Sequence, residues 1–148
     1  MLDYNRRMPA FRLRDADWAR DREALRAVRL AVFVREQCVP ERLEWDASDA
    51  VSTHVLAEDE AGVPIGTGRL LPDGHIGRMA VLAQWRGQGI GDAMLSWLVA
   101  QARHRDMRQL RLHAQTHALA FYVRHGFTCV GEEFMEAGIA HRSMRRDI

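Results

Sequence analysis

The sequence is constrained most by a glycine-rich segment, Arg86-Gly87-Gln88-Gly89-Ile90-Gly91, which lies between a predicted strand over 76–82 and a predicted helix over 88–105. Glycines at alternate positions let the chain turn sharply and let a ligand approach bare backbone. The first amides of a helix have no partner within it, and the helix dipole favours an anion there. Arg86 adds a fork-shaped phosphate donor. The segment therefore predicts a strand–turn–helix unit that binds phosphate or pyrophosphate.

The two common nucleotide-binding motifs do not fit this segment. The dinucleotide fingerprint GxGxxG would need a glycine where Asp92 stands. A P-loop needs a lysine, and all 21 basic residues of the chain are arginine. The absence of lysine also excludes a Schiff-base lysine and a pyridoxal phosphate enzyme. The segment therefore indicates a pyrophosphate site outside both nucleotide classes.

The remaining hydrophobic patterns predict an α/β (α+β) domain around one mixed β-sheet flanked by helices. Asp15 or Asp17 can cap the first helix, and Gly126 is the expected stop of the last one. The predicted strands cover 10–14, 54–58, 65–71, 76–82, 110–114, 128–134 and 140–145, and the predicted helices run from the cap to about 33, over 88–105 and over 118–125.

Length and composition predict one domain over residues 1–148. The chain has 148 residues, is 47% hydrophobic and 28% charged, and has no repeat or linker. A net charge of +1 argues against nucleic-acid binding through bulk charge. No apolar run suits a membrane span or a secretory signal, and the two cysteines form no disulfide framework or metal pair. We therefore expect a cytoplasmic protein.

Acidic residues are concentrated in the segment over 36–60, where eight carboxylates face only Arg42. A run of this kind is typical of a solvated loop. Alternatively, it forms a rim that attracts a cationic substrate.

Two motifs carry a resemblance to a known family. The segment over 76–91 resembles the acetyl-CoA-binding motif R/Q-x-x-G-x-G/A of the GNAT-type N-acetyltransferase superfamily, with matches at Arg86, Gly89 and Gly91. The segment over 118–127, ALAFYVRHGF, resembles the second signature of that family, A-x-x-F-Y-x-x-x-G-F. The stretch over 32–40 with 44–46, and the stretch over 136–141 with Met144, resemble its ElaA-like branch. Gln115 departs from the asparagine that the wider family often has.

The resemblance implies that acetyl-CoA lies in a cleft between two splayed strands, those over 76–82 and 110–114. It implies Tyr122 as the general acid that protonates the departing thiolate, while core packing is the alternative for Phe121 and Tyr122. The residues expected to bind the cofactor are Met79, Ala80, Val81, Arg86, Gly87, Gln88, Gly89, Ile90, Gly91 and Tyr122.

The general base stays open at this stage. His113 is the candidate in the strand expected to line the cleft, and His141, Glu44, Glu136 or a water relay are alternatives. Glu44, Glu136 and His141 are also the residues expected at the acceptor site. No metal is expected, because the sequence has no HExxH or comparable ligand pattern.

The sequence thus predicts an acetyl-CoA-dependent N-acetyltransferase that acts on a primary amine of a small molecule or peptide. Neither nucleic acid nor a membrane is expected as a partner, and a homodimer is left open. The alternative is a catalytically silent acyl-CoA-binding module that senses or scaffolds. Tyr122 weighs against the alternative, because binding alone needs no phenol at the sulfur.

Overall fold

The structure is a computed structural model, and it describes residues 10–148. Its order of strands and helices confirms the predicted α/β (α+β) class. The predicted domain limits of 1–148 include residues 1–9, which lie outside the described residues, and stay a prediction. The strands are β1 (Phe11–Ala16), β2 (Thr53–Asp59), β3 (Pro64–Leu70), β4 (His75–Val81), β5 (Gln109–Gln115), β6 (Thr128–Glu136) and β7 (Ile139–Asp147).

Three α-helices accompany the strands in the described part of the chain: α1 (Trp18–Arg29), α2 (Ile90–His104) and α3 (Leu119–Arg124). Asp17, one of the two predicted caps, begins α1 by accepting a hydrogen bond from the Ala19 amide at 3.0 Å. The α1 helix ends four residues before the predicted limit of about 33, because the chain widens there into a π-helical segment, Leu30–Glu36.

The α2 helix begins at Ile90 and not at residue 88, because the turn before it does not have helical backbone geometry. Gly87 and Gly89 have φ values of 75° and 83°, which a right-handed helix does not contain. Gly89 is the N-cap of α2 and provides no side-chain cap. The predicted strand–turn–helix unit is therefore present, and its turn is longer than predicted.

The seven strands form one mixed sheet in the order β1-β2-β3-β4-β5-β7-β6. Only β4 and β5 are parallel neighbours. They pair at just two positions, His75 with Arg111 and Ile76 with Leu112. Directly after these pairs, Arg78 takes a left-handed φ of 52°, and the β3–β4 register shifts. Because a bulge bends its strand, β4 separates from β5, as predicted for the splayed pair.

The main core lies between α2 and the sheet and contacts the splayed strand at Met79. Met94 and Leu98 of α2 are fully buried against β3. A Cβ on Gly68 of β3 would lie 2.6 Å from the Met79 sulfur and 3.1 Å from Leu98. A Cβ there would force the flexible Met79 side chain to move. Gly68 therefore leaves room for Met79 of β4 beside β3 and α2.

Candidate active site

The gap between β4 and β5 forms a cleft of about 1020 Å³. This volume suits a large ligand. The cleft wall includes β4, the glycine-rich turn, the end of β5 and α3. Of the described residues predicted as site residues, Gln88 and Glu44 lie outside the wall. Those in the wall are Met79, Ala80, Val81, Arg86, Gly87, Gly89, Ile90, Gly91, His113, Tyr122, Glu136 and His141.

The glycine-rich turn offers bare backbone to the cleft. A Cβ at Gly87 or Gly89 would meet no atom within 4 Å, so the space over the turn is open. The amides of the first turn of α2 lack helical partners. They combine with the helix dipole into a site for an anion. The turn therefore fits the pyrophosphate of a coenzyme A ester.

Arg86, expected to donate to a phosphate, already has partners. Its Nε donates to the Val81 carbonyl at 3.0 Å. Its terminal nitrogens donate to both carboxylate oxygens of Glu36, at 2.5 and 2.6 Å. This pair raises the pKa of Arg86 and lowers that of Glu36. Arg86 must therefore exchange Glu36 for a phosphate if it is to bind one through these nitrogens.

The backbone of β4 has an open edge beside the cleft. The Leu82 amide donates a hydrogen bond to the Ile65 carbonyl of β3, and Ala80 pairs with Thr67 of the same strand. Because successive residues of a strand alternate in direction, Met79 and Val81 direct their backbone groups toward β5, where the ladder has ended. The Val81 carbonyl already accepts a hydrogen bond from Arg86 Nε, so an amide-bearing ligand can pair as an added strand with the Met79 groups and the Val81 amide.

Tyr122 lies on α3 and is only 8% exposed. Its ring packs edge-on against Phe121 and Phe127, with centroids 5.0 and 5.9 Å apart. Burial raises the pKa of the phenol to about 12. Among residues 10–148, no group hydrogen-bonds to its hydroxyl, which is nevertheless not sealed from solvent. The residue therefore combines core packing with a protonated hydroxyl in the cleft wall.

Three predicted residues meet on the other side of the cleft. His113 of β5 contacts Glu136 of β6 through Nδ1, 3.0 Å from Oε1. His141 of β7 lies with Nε2 3.5 Å from the other carboxylate oxygen. Its Nδ1 donates to the Ile139 carbonyl at 2.7 Å, which holds the ring in place. Because a carboxylate only accepts hydrogen bonds, Glu136 places the proton of neutral His113 on Nδ1 and leaves Nε2 as the basic atom.

Glu44, predicted as an acceptor-site residue, is buried behind Arg78. The residue is 3% exposed, and its Oε1 lies 3.1 Å from Arg78 Nε without hydrogen-bond geometry. Burial raises its pKa to about 7, although three arginines lower it. The structure therefore gives Glu44 contact with Arg78 and no direct access to the cleft.

The acidic segment over 36–60 does not form a free anionic rim. Asp49 lies 2.9 Å from Arg29 and 3.1 Å from Arg69, and Asp46 lies 2.8 Å from Arg69. Glu36 is paired with Arg86, as described above. These ion pairs remove Glu36, Asp46 and Asp49 from the expected rim and weaken the expectation of a cationic substrate.

The sequence reasoning missed two features of the cleft wall. Arg69 and Arg78 both line the cleft. Each lies within a predicted strand, and neither is among the predicted site residues. Gln37 and Gln115, 78 residues apart, exchange two amide hydrogen bonds at 2.8 and 3.2 Å. Neither residue of this pair gives a local signal for the other. An arginine inside an apolar strand, as at Arg78, is the one signal that could have been noticed.

Two features are absent from residues 10–148. No cluster of three or more His, Cys, Asp or Glu residues there has an arrangement that could hold a metal ion. No helix in that range is long and apolar enough to cross a membrane.

The similarity of this chain to known proteins covers the segments that line the cleft. A family model described as an acetyltransferase (GNAT) domain matches residues 20–148. The Bacillus subtilis protein YjcF, described as an uncharacterized N-acetyltransferase, is 37% identical over 124 residues, covering 81% of this chain and 88% of that protein. An acyl-CoA N-acyltransferase from Pseudomonas aeruginosa has 31% identity and a TM-score of 0.82, covering 93% of this chain and 99% of its own. Escherichia coli ElaA has 28% identity, the same TM-score and the same coverage.

Proposed function

Because the chain belongs to the GNAT acetyltransferase family, as its two motifs predicted, we propose that it is an acetyl-CoA-dependent N-acetyltransferase acting on a primary amine. The observation that carries the proposal is the cleft itself. It combines an anion-binding turn, an open strand edge and two proton-handling groups in one wall.

Bound acetyl-CoA supplies an acetyl group activated as a thioester. The amides after Gly89 hold its pyrophosphate, and the open edge at Met79 and Val81 binds the amide-bearing arm. An amide at that edge donates to the acetyl carbonyl and stabilises the negative charge that develops on its oxygen. These roles need only backbone groups, which suits a turn with open space over its glycines.

The transfer forms one C–N bond and breaks one C–S bond. The nitrogen of an ammonium acceptor loses two protons and the sulfur gains one, so one proton passes to solvent in each turnover. The ammonium form of the acceptor loses a proton before attack, and His113 Nε2 takes it, since imidazole accepts protons near neutral pH. Glu136 orients that ring through its 3.0 Å contact with Nδ1. The sulfur must gain a proton, and Tyr122, with a pKa of about 12, holds one at neutral pH. The second proton of the acceptor nitrogen leaves after attack and restores the phenol.

The first experiment measures release of free thiol from acetyl-CoA with a panel of primary amines, including alkylamines, amino acids, amino sugars and short peptides. We expect acceptor-dependent thiol release and an acetylated amine detected by mass spectrometry. Binding of coenzyme A without transfer to any amine in the panel would contradict the proposal and favour the silent acyl-CoA-binding module.

Tyr122→Phe separates the enzyme from the binding module. We expect kcat and kcat/KM to fall together by about 10²- to 10⁴-fold, because the lost interaction belongs to the transition state. Coenzyme A affinity should stay constant. The melting temperature should stay within about 2 °C, because the hydroxyl has no partner among residues 10–148 and the ring contacts are kept. Full turnover by the folded variant would remove Tyr122 as the acid.

A further inference from the structure

Arg78 is an arginine of the cleft wall whose hydrogen bonds are all long. It lies where β4 leaves β5, in a left-handed conformation with φ 52°. Its three hydrogen bonds, to the Leu43 and Glu44 carbonyls and to Asp46, are all 3.4 Å long. The Arg86 fork, by contrast, binds Glu36 at 2.5 and 2.6 Å. Arg78 Nε also lies 3.1 Å from the Glu44 carboxylate, so it is the terminal nitrogens, with only 3.4 Å hydrogen bonds, that can take up a better acceptor.

The charges around Arg78 leave part of one positive charge unbalanced. Arg29 and Arg69 share Asp49, and Arg69 also holds Asp46. The third carboxyl, Glu44, has a pKa of about 7, so it is only partly ionised at neutral pH. The unbalanced charge lies on the side chain that solvent reaches, since Arg78 is 27% exposed and Arg69 only 7%.

Asp46 does not satisfy Arg78 by itself. Its Oδ1 accepts hydrogen bonds from Arg69 at 2.8 Å and from the Ser48 amide at 3.0 Å. Only Oδ2 is directed at Arg78, at 3.4 Å. Asp46 is therefore held by other partners and leaves the Arg78 fork with room for an anion.

Arg78 shares its cleft with the proton-handling residues. His75 lies beside His113, with ring centroids 6.5 Å apart, and both line the same wall as Arg78 and Glu136. The wall of one cleft thus contains both a guanidinium and the His113–Glu136 pair. The two groups attract opposite charges on one molecule.

We propose that Arg78 binds a carboxylate of the acceptor, so that the enzyme acetylates the amine of an amino carboxylate. This inference rests on the proposed acetyl transfer and names its substrate class. It replaces the cationic acceptor expected from the acidic segment. A guanidinium fork matches a carboxylate in two parallel hydrogen bonds. A monoanion also matches the local excess, which is at most one positive charge.

The test compares acceptors matched in length. Glycine, β-alanine, 4-aminobutyrate and L-leucine are each compared with the alkylamine that lacks the carboxylate, and O-phosphoethanolamine represents a phosphate. For the best amino carboxylate, we expect kcat/KM to exceed that of its matched amine by about 10- to 100-fold, as for a charged hydrogen bond. Equal use of both members of every pair, or preference for the phosphate, would overturn the proposal.

Arg78→Gln assigns this preference to one residue. Glutamine keeps the Cβ and hence the same backbone strain, while it removes the charge. We expect the preference for the carboxylate to fall to about twofold or less, the remainder expected without a charge-assisted contact. Arg42→Gln is the matched control, since Arg42 is exposed and lies outside the cleft wall. It should keep the full preference. A preference that survives in Arg78→Gln would refute the role of Arg78.

A direct binding measurement separates this inference from the proposed function. Wild-type protein saturated with coenzyme A is titrated with each amino carboxylate by calorimetry, and Arg78→Gln is titrated in the same way. If no amine releases thiol, the proposed function fails, yet binding that requires Arg78 would still support the carboxylate site. Absence of such binding, or equal binding by Arg78→Gln, would overturn the site.

Discussion

Replacement of Glu44 by glutamine should change how stability depends on pH. Glu44 is 3% exposed, and burial raises its pKa from 4.5 to about 7. Loss of solvation is the largest cause, and it exceeds the attraction of Arg78, Arg29 and Arg69. The folded protein therefore holds a proton on this carboxyl across a pH range in which the unfolded chain has released it.

The sign of the effect follows from proton binding. Between pH 4.5 and about 7 the unfolded state binds fewer protons at Glu44 than the folded state does, so the free energy of unfolding falls as pH rises. Above about pH 7 both states are ionised and the contribution becomes constant. A carboxyl whose pKa is higher in the folded state by this interval lowers the free energy of unfolding by about 3 kcal/mol as pH rises. Glu44→Gln cannot titrate and should lack this loss.

The assay is urea denaturation of both proteins at pH 5 and pH 8. From pH 5 to pH 8 the wild type should lose about 2–3 kcal/mol more than Glu44→Gln does, and the histidines cancel in this difference. Glu133→Gln, at an exposed position of β6, is the matched control and should follow the wild type. Parallel pH profiles for wild type and Glu44→Gln would refute the reasoning. A wild type that gains stability relative to the variant as pH rises would show that Arg78 keeps Glu44 ionised.

Two further predictions concern the pyrophosphate turn. Gly89→Ala should weaken coenzyme A binding in calorimetry, because its Cβ enters the open space over the turn, whereas Gly138→Ala should not. Both positions have positive φ and open space, but Gly138 lies outside the cleft wall, so equal losses would assign the effect to backbone strain alone. Glu36→Gln should tighten coenzyme A binding up to about fivefold, since an exposed carboxylate that competes for Arg86 is worth about 1 kcal/mol or less; weaker binding would show that Glu36 holds Arg86 in its binding position.

Local signals predicted the elements that depend on local chemistry. Asp17 caps α1 because a short acidic side chain reaches the amide two residues later. The glycines at 87 and 89 take positive φ values and so interrupt helical backbone geometry, whatever the rest of the chain contacts. The π-helical segment Leu30–Glu36 carried no such signal. Its apolar residues continue the helical pattern, which does not distinguish the two kinds of helix.

Contacts across the fold were beyond local reasoning. The segment over 36–60 is acidic in the sequence, yet four of its eight carboxylates lie beside Arg29, Arg69, Arg78 or Arg86 from other elements. Likewise, the contact of His113 with Glu136 depends on the registers of β5, β6 and β7 together. A strand assignment alone does not fix those registers, so the candidate base could be named but not its partner.

The splayed strands link the fold to the site through one residue. β4 keeps its pairing with β3, and β5 keeps its pairing with β7, so the cleft opens by interrupting a single ladder. Arg78 lies at that interruption with φ 52°. A left-handed conformation costs a residue with a Cβ about 1–2 kcal/mol, and glycine avoids most of this cost. Backbone geometry alone thus favours glycine at residue 78. The chain has arginine at this position, and the guanidinium lies in the wall of the cleft.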